Sequence, residues 1–182
     1  MYMRFKLFLC SLCLALATFA QKGTIKVAVF SINDFHGAFV QNVSQAIPGA
    51  PSIWQTLDSL KAVYPYNITV AAGDNFGGSY FYRATQGQLL PVFFNDLGIR
   101  ISALGNHEFD DGQASLAEKW SADPLLPRGW DITYVCSNVY ASTGPIPPYV
   151  KPVATTEIAL SPTHTLKAAF VGLLASSAPE QI

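Results

Sequence analysis

Hydrophobic residues along this chain fall in short blocks that end abruptly in polar, glycine-rich clusters, and the blocks alternate between two periods. Thr24 to Ile32 (TIKVAVFSI) is β-branched and apolar without helical spacing, and it stops at Asn33-Asp34-Phe35-His36-Gly37. This predicts a buried strand feeding a loop. Past a Gly/Pro-rich stretch (IPGAPS), Ile53, Leu57, Leu60 and Tyr64 recur at helical spacing. Ser52 is the expected N-cap of that helix, and Pro65 lies just beyond its end. The alternation then repeats. A strand from Asn67 to Ala72 leads to a loop at Gly73-Asp74, and a helix follows from about Gln86 to Leu97. A strand from Arg100 to Leu104 leads to Gly105-Asn106-His107, and a helix follows from Gln113 to Trp120. Strands Ile132 to Cys136 and Lys167 to Leu174 come last, separated by the proline-rich TGPIPPYVKP, read as a surface connection. Thr155 to Leu160 is a candidate antiparallel partner for the final strand.

Strands alternating with helices are βα units, so the expected class is α/β: a layered βα sandwich with its sheet flanked by helices. Each strand is nearly all apolar, which predicts a sheet covered on both faces and joined by right-handed crossovers. Ligands of such sheets bind beyond the carboxyl ends of the strands.

One apolar run lies outside the alternation. Leu7 to Ala20 is uncharged and 14 residues long, with Arg4 and Lys6 ahead of it. That length suits the ~7–15 residues of a secretory signal core and falls short of the ~20 a membrane-spanning helix needs. Residues 1–20 are read as an export signal and residues 21–182 as the unit that remains, with no membrane span. Thr18 and Ala20 offer cleavage before Gln21, and Ala15 and Ala17 an earlier site. The product is expected to be periplasmic, extracellular or at the cell surface.

Composition narrows the picture further. Charged residues make up 13% of the chain, about half of the ~25% usual in soluble domains, so there is much apolar surface to bury. Without the first twenty residues, nine basic side chains face twelve acidic ones, a net charge of −3 with no run of Lys or Arg. No electrostatic footprint for a nucleic acid polymer or an anionic membrane follows. Two of the three cysteines leave with the signal. Cys136 alone forms no internal disulfide and reads as core packing.

The candidate chemistry gathers at the strand ends: Asp34 and His36, then Asp74, then Asn106, His107 and Asp110. Each has a bland reading on its own, as a turn former or a surface polar group. Together they fall at one edge of one sheet. Asp34 and His36 are two apart, so an extended backbone would point both the same way. Asp74 lies among glycines that let a ligand approach closely, where its carboxylate is placed to bridge two ions. Mixed Asp, His and Asn ligands suit zinc, manganese or iron and not the all-oxygen shells of calcium. Two such ions ~3.5–4 Å apart clamp a phosphoryl oxygen and supply hydroxide. His107, unligated, would then face the substrate with Asp110 orienting its ring, and Glu108 would pack or hydrogen-bond behind them. His164 lies in a polar loop and is expected to be exposed. No Gly-x-Ser-x-Gly, dinucleotide or phosphate-loop motif is present.

INDFHG (Ile32 to Gly37), AGDNFGGS (Ala72 to Ser79) and ALGNHEFDDG (Ala103 to Gly112) resemble the first three blocks of the secreted 5'-nucleotidase and UDP-sugar hydrolase branch of the calcineurin-like metallophosphoesterases. CSNV (Cys136 to Val139) resembles a further strand of that family. The resemblance implies a nucleotide or other phosphoester substrate and two divalent ions. It makes Asp34 and His36 ligands of the first ion, Asp74 the bridge, Asn106 a ligand of the second, and His107 with Asp110 a catalytic dyad. Family members complete the site with histidines from later strand-end blocks and hold the base in a separate C-terminal domain. Neither histidine block occurs here, so the catalytic domain is expected to be incomplete at its C-terminus, with the substrate-binding domain expected in a full-length protein. The alternative is a catalytically incompetent fragment that binds one metal ion or the substrate.

Overall fold

The computed structural model describes residues 24–120, 132–140 and 145–175; the export signal read at residues 1–20 lies outside the described residues. Five parallel strands run in chain order: β1 (Ala28–Ile32), β2 (Asn67–Ala71), β3 (Ile101–Ala103), β4 (Thr133–Val135) and β5 (Val150–Lys151). With consecutive order, crossovers of a single hand lay every connecting helix on the same face. The helices are α1 (Gly49–Val63), α2 (Tyr80–Thr85), α3 (Leu89–Asp96) and α4 (Gly112–Trp120). Leu57, Tyr82, Leu90, Phe94 and Leu116 from them join one cluster with Ala71 and Tyr134 of the sheet and with Cys136 just past β4.

The opposite face is covered by an antiparallel hairpin, β6 (Val153–Ser161) and β7 (His164–Val171). Its Ala154 and Phe170 pack with Val70, Ile101 and Val135. Both faces are therefore covered over β2 to β4. At the edge strand β1 the expectation of two covered faces fails: β1 lies outside the cluster under the hairpin, and Val29 is 57% exposed.

Several boundaries differ from the sequence reading, each for a local reason. β1 begins at Ala28, whose N–H makes the first bond to Tyr66. α1 starts three residues before Ser52, with Pro48 at its cap position. The helix expected from Gln86 to Leu97 is two helices: Gln86 and Gly87 adopt positive φ and break it, and α2 starts earlier, where the Ser79 hydroxyl accepts the Tyr82 N–H at 3.0 Å. The proline-rich connection ends in the sheet, because Val150 turns back onto Pro147 and Tyr149 and Val150 are buried. The candidate antiparallel pairing of Thr155 to Leu160 with the final strand does form, as β6 and β7, and the pair makes a two-stranded sheet apart from the parallel one. Cys136 is buried. Among the described residues, no helix is long and apolar enough to cross a membrane.

Candidate metal centre at the strand ends

The β1–β2 pairing continues past the strands and aligns their two loops. Ala72 N–H donates to Ile32, Asp34 N–H to Gly73, His36 N–H to Asp74 and Gly37 N–H to Asn75. Phe35, between the two candidate ligands, turns inward. Its ring stacks on Phe93 at 5.4 Å and meets Phe39 edge-on at 5.1 Å, which anchors the loop in the core. Asp34 and His36 do not reach their common side through an extended backbone, as their spacing suggested; both adopt left-handed conformations, φ 49° and 47°. The convergence nevertheless results. His36 Nε2 lies 3.8 Å from Asp34 Oδ1, and Asp34, His36 and Asp74 each bring one ligand atom within 4.8 Å of the others.

The second loop is anchored by Phe76, buried against Tyr82. Asp74 too is left-handed, φ 52°. Its Oδ1 accepts the backbone N–H of His107 at 3.1 Å, which draws the third loop in. That loop forms a short 3-10 turn, His107–Phe109, with Asn106 at its cap. Glu108 is buried and accepts N–H groups from Asp74, Asn75 and Gly105.

His107 faces His36, ring centres 4.6 Å apart. Its Nδ1 lies 2.9 and 3.0 Å from the two Asp110 carboxylate oxygens, which assigns the Nδ1 proton to that contact and leaves Nε2 outside it. The Asp110 hydrogen bond raises the His107 pKa above the ordinary histidine value, against a smaller opposing effect of burial. Gly77 makes room for the pair, since a Cβ there would run into the Asp110 carboxylate. Gly105 does the same for Asp74. His164, as expected, is exposed; it opens β7 and hydrogen-bonds Thr163 at 2.9 Å.

All six residues singled out in the sequence thus lie in three neighbouring loops at one sheet edge. Gly77, Gly105 and Asn75 were not singled out. Glycines are common in turns, and nothing in the order of residues marks Asn75 as fully buried.

No family profile matches the chain. It is similar to the 5'-nucleotidase of Rattus norvegicus, 28% identical over 134 residues that cover 69% of this chain and 22% of that protein. The snake venom 5'-nucleotidase of Gloydius brevicauda is 31% identical over 122 residues, 63% of this chain and 20% of its own length. The apyrase of Anopheles gambiae is 29% identical over 108 residues, 53% and 19%. The chain spans about a fifth of the length of these relatives. Among solved structures it is similar to a 5'-nucleotidase precursor from Thermus thermophilus, with TM-score 0.67 and 24% identity over 83% of this chain and 29% of that one. It is also similar to the calcineurin-like phosphoesterase YfkN of Bacillus subtilis, with TM-score 0.64 and 19% identity over 84% and 49%. The fold is that of the calcineurin-like phosphoesterases, and the sequence resembles the N-terminal metallophosphoesterase part of the 5'-nucleotidases.

Proposed function

We propose that this relative of the 5'-nucleotidases is the front part of the catalytic domain of an exported, metal-dependent phosphoester hydrolase that releases phosphate from nucleotides. The observation that carries the reading is the convergence of Asp34, His36 and Asp74 within 4.8 Å, with the His107–Asp110 pair against His36. Two carboxylates and an imidazole fit a borderline divalent ion such as zinc or manganese, and the missing Cβ of Gly105 keeps the Asp74 carboxylate in place. Asp34, His36 and Asp74 would hold the first ion; Asp74 and Asn106 would begin the site of a second.

Bound there, divalent ions supply Lewis acidity toward a phosphoryl oxygen and acidify a water for in-line attack. The chain's own residues supply the rest. Asp110 holds His107 by Nδ1, so the proton available to the substrate is the one on Nε2. That proton either stabilises charge gathering on the phosphoryl group or passes to the leaving alkoxide. Residues 1–20 act as the export signal and residues 21–182 as the catalytic portion, which N-terminal sequencing of the exported product checks. A C-terminal substrate-binding domain in a longer protein completes the scheme.

One observation favours a second reading. Among the described residues Asp34, His36 and Asp74 form the one such group of three, so a second ion would rest on Asp74 and Asn106 alone. On that reading this chain binds a single ion without turnover. Metal analysis and phosphate release from 5'-AMP, on this chain and on a longer version that supplies the later histidine blocks, separate the two. We expect turnover in the longer protein and its loss on Asp74→Ala. No activity in the longer protein, or full activity in the variant, would sink the hydrolase reading; two firmly bound ions with turnover in this chain would sink the second.

A further inference from the structure

Beneath the site lies a buried carboxylate that the chemistry above does not use. Glu108 is 4% exposed, yet every hydrogen bond named for it comes from the loops that carry Asp74 and Asn106. Its Oε2 accepts the backbone N–H of Gly105 at 2.6 Å and of Asp74 at 3.1 Å. Its Oε1 accepts the backbone N–H of Asn75 at 2.8 Å and the Asn75 Nδ2 at 2.9 Å. Asn75 is itself fully buried, and its amide also donates to Ser102 Oγ at 3.0 Å.

A carboxylate taken out of water is costly unless donors fill its lone pairs. Four donors do so here, and they span two loops. Loop one is registered on loop two by backbone bonds that extend the β1–β2 pairing. Loops two and three are joined by exchanged carboxylates: Asp74 accepts the His107 N–H, and Glu108 accepts the N–H groups of Asp74 and of Gly105, the residue just before Asn106. Asp74 is also held at φ 52°, a conformation a non-glycine residue keeps only when its surroundings fix it. Glu108 bonds the N–H of Asp74 and of the residue after it.

We propose that Glu108 is a positioning residue: its carboxylate sets the spacing between Asp74 and Asn106, and through that spacing the strength with which divalent ions are held. The inference rests on the metal-site reading above. Carboxylates that support metal ligands from behind typically change affinity about 10–100-fold when altered.

The test uses the chain itself with Mn2+ as the probe. Calorimetry should show Mn2+ binding weakened at least about tenfold in Glu108→Gln, with the fold retained by circular dichroism. In the metal-free protein, amide exchange at Asp74, Asn75 and Gly105 should accelerate by a similar factor. Ile158→Ala, which opens a cavity in the hairpin strand β6, outside the cluster that holds Phe35 and Phe76, should lower the melting temperature and move neither quantity. If Glu108→Gln does not fold, Glu108→Asp is measured by the same criteria, since withdrawing the carboxylate by one methylene also breaks the bridge. An affinity within about threefold of the unaltered chain, well short of that range, overturns the proposal, and so does loss of amide protection without loss of affinity. Should the unaltered chain take up no Mn2+, the metal reading fails, while amide exchange still decides whether Glu108 fixes the two loops.

Discussion

The strand-end loops and the β6–β7 hairpin are built on opposite terms. In the loops three non-glycine residues, Asp34, His36 and Asp74, have positive φ, and Gly37, Gly73, Gly77 and Gly78 share that sign; from Val153 to Val171 no residue does. A left-handed non-glycine residue costs on the order of 1–3 kcal/mol. The loops offset that cost with buried groups: Phe35 and Phe76 in the core and Glu108 under four donors. The hairpin needs no such support. Its ladder runs from Val153↔Val171 to Ser161↔His164, and its outward residues face solvent. Strain is therefore concentrated where side chains from separate loops must meet. The consequence is a brittle edge and a tolerant one.

Gly105→Ala is the sharpest way to test the brittle edge. Its new Cβ would overlap the Asp74 carboxylate and come within 2.5 Å of the Asp74 backbone nitrogen. A side chain can swing aside, but that nitrogen is backbone held by Glu108. Overpacking of this kind costs about 1–3 kcal/mol or more, so the urea midpoint should fall clearly and Mn2+ binding should be lost. A variant with unchanged midpoint and affinity would show that the loops give as easily as the hairpin.

The same contrast explains what the sequence disclosed. The positions of the loops were legible, because each strand ends where an apolar run meets a polar cluster. The manner of convergence was not: residue spacing suggested an extended Asp34-Phe35-His36, whereas the pull of Phe35 into the Phe39 and Phe93 rings turns both neighbours left-handed. Helix α2 was missed because its start is a hydroxyl cap on Tyr82 that follows two glycines, a stretch that reads as loop. The antiparallel partner of the final strand, Thr155 to Leu160, was legible; that the pair stands apart from the parallel sheet was not, since apolar content does not distinguish the two kinds of neighbour. Glu108 was placed behind the site by its motif; that it joins two loops emerges only from the distances.

A smaller effect is expected at the His107–Asp110 pair, which is partly exposed. Asp110→Asn removes the charge that raises the His107 pKa, and an NMR titration should show that pKa falling toward the ordinary value of ~6.5. The sign for stability follows. A histidine with a raised folded pKa stabilises the fold below its unfolded pKa of ~6.5, and the contribution is lost as pH rises through the higher folded value. The variant should therefore be less stable than the unaltered chain at mildly acid pH and match it once His107 is neutral. An unchanged His107 titration would mean that Asp110 orients the ring without holding its proton.

The smallest effect is expected on the tolerant side, at the cross-strand pair Glu157 and Lys167. Their charged atoms lie 3.3 Å apart, but the side chains are 59% and 80% exposed, so water and salt screen the attraction. Exposed pairs of this kind contribute about 0–1 kcal/mol. Lys167→Ala should shift the urea midpoint by no more than that and leave Mn2+ affinity unchanged. The second half of that expectation is the sharper one, because the hairpin does touch the carboxyl edge of the sheet: beyond β7, Gly172 accepts the Ser137 N–H at 2.8 Å, and Asn138 brackets Leu174 with bonds of 2.8 and 2.9 Å. Those bonds lie past the end of the ladder, where a lost surface charge on Lys167 cannot reach without fraying the strand between. A drop in Mn2+ affinity would show that it does fray, and that the two regions form one cooperative unit.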